Sequence, residues 1–265
     1  YIPLTKEHTL DVDVAKKMIS DKTKVVALSH VSNVLGVINP VKKIVSLAKS
    51  VGALTLVDGA QAVPHFYVDV EDLDCDFYTF SGHKMLAPTG VGVLYGRLSL
   101  LEELPPFKGG GSMIQRVEEQ TSSWNLVPYK FEAGTPNISG VLGLGAAIDF
   151  LNNLDRDFIL QEEKKLTRKL VDELKKEPGV TVFGNHGENS IGVVSFSHDK
   201  IHPHDMASIC DSHHVCIRAG HHCAQPLMKS LNVESLSRIS FYMYNNEKDL
   251  EKFLVAFQQA KKIFS

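Results

Sequence analysis

Short apolar runs bounded by polar turns recur through the first part of the chain with amphipathic stretches between them, and that alternation constrains the fold more than any other feature. Lys24-Val-Val-Ala-Leu-Ser29 ends in the polar turn His30-Val-Ser-Asn33. Helical spacing follows over 41–50, as it does earlier over 11–20. A second run, Leu54-Thr-Leu-Val-Asp58, and a third, Asp76-Phe-Tyr-Thr-Phe-Ser81, come next. Strand, helix, strand in this order predicts a mainly parallel sheet with helices on its faces. Val91-Gly-Val-Leu-Tyr-Gly96 follows after only a Pro88-Thr-Gly90 turn, too short for a parallel crossover, so that strand is expected to run antiparallel.

Beyond this unit, Gly109-Gly-Gly111 and the polar stretch to Ser123 read as a loop, and 139–152 reads as a helix leaving the first unit. The expected division is a large unit over 1–147 and a smaller α+β unit over 148–265. The smaller unit should hold a charged helix over 158–176, a strand pair near Val180 and over 191–197, and a helix over 205–213. Strands at Val215-Cys-Ile-Arg218 and over 237–241 and a closing helix over 247–263 complete it. There is no internal repeat.

A formal net charge of -3 gives no electrostatic reason to expect nucleic acid, and the apolar runs are too short to cross a bilayer. A soluble protein with a small-molecule partner is the expectation. Four cysteines, Cys75, Cys210, Cys216 and Cys223, are too sparse for a disulfide framework and fit a reducing compartment, cytoplasmic or organellar. The opening Tyr1-Ile-Pro-Leu-Thr5 reads like the middle of a domain and carries no signal-peptide pattern, so a preceding segment is expected. A sheet without it would expose an edge and an apolar face.

Two groups of residues carry chemistry. Asp58 closes one expected strand, and Ser81-Gly-His-Lys84 closes the next, where open α/β sheets assemble ligand sites. A lysine there can be a desolvated amine suited to Schiff-base formation. The second group is Arg218-Ala-Gly-His-His-Cys-Ala-Gln-Pro226, in which Arg218, His221 and His222 give Cys223 a cationic setting that favours thiolate. A metal site on His221, His222 and Cys223 is disfavoured, because adjacent residues point in different directions and no second ligand pair has a matching spacing. The other three cysteines lie in apolar patterns and read as buried.

Val57-Asp-Gly-Ala-Gln61 followed by Ser81-Gly-His-Lys84 resembles the cofactor signature of the class V aminotransferase family, which binds pyridoxal 5'-phosphate on a type I transferase fold. The resemblance implies Lys84 as the covalent cofactor lysine, Asp58 at the ring nitrogen, Gln61 at the phenolic oxygen, and Ser81 and His83 at the phosphate. The segment around Cys223 is similar to that of the Suf-type, or group II, cysteine desulfurases, a group that includes selenocysteine lyase-like members. That likeness implies conversion of L-cysteine to L-alanine with a persulfide left on Cys223, for iron-sulfur cluster assembly through a sulfur-acceptor protein of SufE or SufU type. Arg238 resembles the substrate-carboxylate arginine, Asn33 the asparagine beside it, and Arg218 joins them as a substrate-binding residue. Phe131-Glu-Ala-Gly-Thr-Pro-Asn137 matches the segment whose threonine, here Thr135, reaches the cofactor phosphate of a neighbouring subunit, implying a homodimer. The glycine-rich stretch from Gly109 resembles one near the dimer's active-site mouth. Alternatives left open are a selenocysteine lyase or other lyase of this fold, and an inactive fragment.

Overall fold

A computed structural model describes residues 1–264, and in it the periodicities become two four-stranded sheets and a separate two-stranded hairpin. α1 (Val12–Met18) starts at Asp11, whose carboxylate accepts the Val14 N–H at 2.9 Å. β1 (Val25–Ser29), α2 (Val41–Ser50), β2 (Leu54–Asp58), the short α3 (Val70–Leu73), β3 (Phe77–Ser81) and β4 (Gly92–Gly96) follow. The sheet order is β1-β2-β3-β4, with β1, β2 and β3 mutually parallel and β4 antiparallel to β3, as the brief connection required.

Val41, Ile44, Val45 and Ala48 recur at helical spacing on α2, so their one face packs on Val26, Leu28 and Val57. The other face of the two strands carries Val25, 56% exposed, and Leu54, 36% exposed, with no helix over it among the described residues. Parallel strands are ordinarily covered on both faces. The alternating burial of β1 and β2 is the signature of a sheet covered on one side only.

After β4 come α4 (Leu98–Glu103), β5 (Ile114–Val117), β6 (Ser122–Trp124) and α5 (Ile138–Asn152). The stretch to Ser123 expected to be loop therefore contains a hairpin, β5 against β6. α5 runs unbroken across position 147 and sets Leu144, Ala147 and Leu151 against Met85 and Ala87. Its outer residues Ile138, Val141 and Leu142 stay 58%, 52% and 70% exposed.

The second unit is α6 (Arg156–Lys175), β7 (Val180–Phe183), β8 (Val193–His198), α7 (Pro203–Ser212), β9 (Arg218–Gly220), α8 (Gln225–Ser230), β10 (Leu236–Ser240) and α9 (Glu247–Ile263). Its sheet is antiparallel throughout, in the order β7-β8-β10-β9. Leu170, Leu174, Met206, Phe253 and Phe257 close around Phe196. The strand expected at Val215 begins at Arg218 instead: Val215 and Ile217 turn their side chains onto the helix core, and pairing with β10 starts only at Arg218 opposite Arg238. Among the described residues no helix is long and apolar enough to cross a membrane.

Candidate active site

The carboxyl ends of β2 and β3 lie side by side, with Asp58 opposite Thr79 in register, so Asp58 and Ser81 emerge at one edge of the sheet. The turn after Asp58 presses on β3, where the Gly59 N–H donates to the Thr79 carbonyl at 2.8 Å. A Cβ at position 59 would stand 2.0 Å from the Tyr78 hydroxyl, which is why glycine follows the aspartate. The Asp58 carboxylate accepts the Ala60 N–H at 2.9 Å and otherwise faces outward. Gln61 is half-buried one turn further on. Ser81 leads into a 3-10 turn, Gly82–Met85, and its hydroxyl lies 2.7 Å from Nδ1 of His83. Lys84 sits in the same turn.

The sequence suggested a desolvated Lys84, but the structure leaves that side chain exposed. The 3-10 turn buries Gly82 and Met85, the latter against α5, and leaves His83 and Lys84 exposed. The floor beneath the edge was not anticipated. His30, 8% exposed, sets Nδ1 2.9 Å from the Tyr78 hydroxyl and stands edge-on to Phe66. Burial lowers the His30 pKa to about 4 and pushes the Tyr78 phenol well up. In the sequence His30 looked like an ordinary turn residue, and nothing in its neighbours marks it as buried.

The second group is assembled by the loop after β1. Its backbone starts where the His30 N–H donates to the Asp58 carbonyl at 2.7 Å, and it crosses to the second unit, where Val37 bridges Ser190 and the buried Ser195 hydroxyl donates to the Val34 carbonyl at 2.6 Å. Gly36 has φ +66° there, and a Cβ on it would lie 2.5 Å from the Val193 carbonyl oxygen. At the tip, Asn33 donates from Nδ2 to the His222 carbonyl at 2.8 Å, while its own carbonyl accepts from Nη1 of Arg238 at 2.9 Å. Arg218 points Nη2 at the Cys223 sulfur, 3.6 Å away. Asn33, Arg218, Cys223 and Arg238 are thus one cluster, and Cys223 is exposed at its rim.

Electrostatics in this cluster centre on the two guanidinium groups. Burial, then the Arg218 charge, lowers the Arg238 pKa, against a smaller opposing effect of Cys223. The Nε of Arg238 is buried without a partner among the described residues. His222 corrects the expectation of a uniformly cationic setting. It is 2% exposed, its Nε2 lies 3.0 Å from the Leu236 carbonyl, and burial followed by the Arg238 charge lowers its pKa to about 4. A neutral ring there donates to Leu236 and pins the loop, so the positive charge beside the sulfur comes from Arg218. His222 and Cys223 have φ of 54° and 59°, two successive left-handed residues that turn the thiol outward. A cleft of about 540 Å³ opens beside it, lined by His202, His204, Arg218, His221, Cys223 and Glu234 among others. Cys75 and Cys210 are buried as expected, whereas Cys216 is exposed because the strand that was to bury it does not form at that point. Thr135 is exposed in the loop leading into α5.

Comparison with known proteins gives a consistent result. The family model Aminotransferase class-V matches residues 1–253. A probable cysteine desulfurase of Halalkalibacterium halodurans is 48% identical over 264 residues, covering 100% of this chain and 64% of the relative. A cysteine desulfurase of Shigella flexneri is 43% identical, over 99% of this chain and 64% of its own length. The chain therefore spans 64% of the length of the curated relatives it matches. Among solved structures, the S-sulfonic acid form of a cysteine desulfurase from Escherichia coli superposes with a TM-score of 0.96 at 37% identity, over 100% of this chain and 65% of that one. The apo cysteine desulfurase of Thermococcus onnurineus NA1 gives 0.91 at 40% identity, over 98% of this chain and 65% of that one.

Proposed function

Because the chain belongs to the class V aminotransferase family, whose members work through pyridoxal phosphate, we propose that it is a cysteine desulfurase that moves sulfur from L-cysteine onto Cys223 and leaves L-alanine. The observation that carries this reading is the exposed Cys223 thiol beside the Arg218 guanidinium, on a loop tied through Asn33 to Arg238. An aminotransferase has no use for a thiol so placed.

The donor set fits the cofactor. Asp58 offers a carboxylate without an ion pair among the described residues, suited to a protonated ring nitrogen, and Gln61 offers an amide to the phenolic oxygen. Ser81 and His83, already in mutual contact, offer hydroxyl and imidazole to the phosphate, and Lys84 offers the amine for covalent attachment. Thr135 is assigned to the phosphate of a second subunit in a homodimer. When bound, pyridoxal phosphate supplies the electron sink that stabilises negative charge at the substrate Cα.

The remaining steps belong to the chain's own residues. Arg238 spends Nη1 on the Asn33 carbonyl and keeps Nε without a partner among the described residues, and its planar fork suits a carboxylate. Asn33 holds the arginine through its backbone carbonyl and the cysteine loop through its side-chain amide, so substrate carboxylate and acceptor thiol are referred to one residue. Lys84 Nζ takes the Cα proton. The Cys223 sulfur then attacks the substrate sulfur: an S–S bond forms, the substrate Cβ–S bond breaks with its electron pair going to carbon, and protonation there completes the methyl group of alanine. Arg218 donates to the sulfur that begins and ends this step. Within the Suf-type reading, the persulfide passes to an acceptor protein of SufE or SufU type for iron-sulfur assembly in the cytoplasm.

Persulfide labelling tests the proposal directly. After exposure of the full-length, cofactor-loaded enzyme to cysteine, a tagged alkylating reagent should mark Cys223 alone. Cys223→Ala should bind cofactor with an unchanged visible spectrum but lose alanine release by two orders of magnitude or more. A label on exposed Cys216 with none on Cys223 would overturn the assignment.

A further inference from the structure

The segment that follows Asp58 and Gln61 is bolted to the second unit by side chains that no motif marks. His65 and Glu163 form a buried pair, Nδ1 to Oε2 at 2.7 Å, with side chains 8% and 2% exposed. Arg156, seven residues before Glu163 on α6 and 8% exposed, donates Nη2 to the Val63 carbonyl and, at 2.9 Å, to the Phe66 carbonyl. Its guanidinium lies 4.6 Å from the centroid of the Tyr67 ring. Tyr242, just beyond β10, donates its hydroxyl to the Pro64 carbonyl at 2.8 Å and stands edge-on to His65 at 5.2 Å. Four consecutive residues, Val63 to Phe66, are therefore held by three side chains of the second unit.

Stability alone does not explain this arrangement. A buried carboxylate-imidazole pair loses much of its Coulomb gain to desolvation, and apolar side chains of like volume ordinarily serve as well. Glu163 also keeps Oε1 buried without a partner among the described residues. What such a contact fixes is geometry, and here the geometry joins two sites. His65 lies four residues after Gln61, and Tyr242 lies four residues after Arg238, which is on the strand that also pairs with β9.

We propose that Glu163, with Arg156 and Tyr242, is a positioning residue that fixes the spacing between the cofactor edge at Asp58 and Gln61 and the substrate and sulfur groups at Arg238 and Cys223. The inference rests on the proposed desulfurase reading for its catalytic consequence and on the described contacts for its structural one. Arg156 and Glu163 grip the loop from α6, while Tyr242 grips it from just past the end of the strand bearing Arg238, so the two units cannot shift without drawing on the turn after Asp58.

The test uses full-length enzyme and three variants: Glu163→Leu, Glu163→Gln and Tyr242→Phe. In Glu163→Leu, cofactor affinity should fall at least tenfold, the visible band should shift, and kcat should drop 10- to 100-fold with a much smaller change in KM. Glu163→Gln, which keeps an oxygen acceptor for His65, should restore most of kcat. Tyr242→Phe, which removes one hydroxyl and leaves the packing, should lower kcat 3- to 10-fold. Amide hydrogen exchange over 58–66 supplies a readout independent of catalysis and should quicken in both Glu163→Leu and Tyr242→Phe. If the parent neither binds cofactor nor releases alanine, the desulfurase reading fails and the exchange data alone decide the positioning claim. Unchanged exchange over 58–66 overturns it, as do variants that melt earlier yet keep the parental spectrum and kcat. Should Glu163→Leu not fold, Tyr242→Phe decides by the same criteria.

Discussion

Among the described residues Arg238 is restrained through Nη1, which is committed to the Asn33 carbonyl, while its Nε is buried without a partner, and burial lowers its pKa. A guanidinium in that condition gains most from a carboxylate arriving at its open side, because the pair replaces hydration already lost. Arg238→Ala is therefore expected to raise the KM for cysteine by 30-fold or more, from a loss of about 2 to 5 kcal/mol, while leaving the cofactor spectrum as in the parent. Steady-state kinetics with a parallel visible spectrum check this, and an unchanged KM removes Arg238 from the substrate site. Asn33 shows why single residues resist assignment from sequence. Its position near a strand end was legible, but its contact with the His222 carbonyl across 189 residues of chain was not.

At the scale of elements, Gly36 is a tight constraint on how the first unit meets the second, matched from the other side by Gly184 against the Leu35 carbonyl. The left-handed φ of Gly36 and the 2.5 Å approach of a would-be Cβ to the Val193 carbonyl act together. Gly36→Ala should cost about 2 to 4 kcal/mol in chemical denaturation, part from the backbone and part from overpacking. A loss below about 0.5 kcal/mol would mean the loop relaxes freely. The strands and long helices of this chain were legible because their periodicity reports burial on one face, as in α2 and α9. The β5–β6 hairpin was not, because Ile114–Val117 and Ser122–Trp124 are largely exposed and carry no apolar alternation. The motif residues Asp58, Lys84, Cys223 and Arg238 could be picked out by type and place. Glu163 and Arg156 could not, since charged residues on a charged helix look like its solvated face until the partner loop is seen.

For the whole molecule, acid stability should be governed by buried histidines. His30, His186 and His222 each have a pKa lowered by burial from 6.5 to about 4. Between those values the unfolded chain binds protons that the folded chain refuses, so stability rises with pH through that window. The contribution is fully present above about pH 6.5 and is lost as pH falls toward 4. The loss should be roughly 1 kcal/mol per pH unit for each histidine, and His222→Gln should flatten the dependence. Denaturation midpoints measured from pH 7 to about pH 4 check it, and a flat profile counts against burial of the three rings. The back-to-back left-handed residues at His222 and Cys223 have a consequence for traffic as well as for chemistry. They hang the thiol on the outermost strand connection of the second sheet, with Arg238 inward of it and open solvent outward. A carrier mounted at such a threshold is loaded from the interior side and emptied from the exterior side, so on the proposed reaction sulfur leaves the protein without the two units having to part.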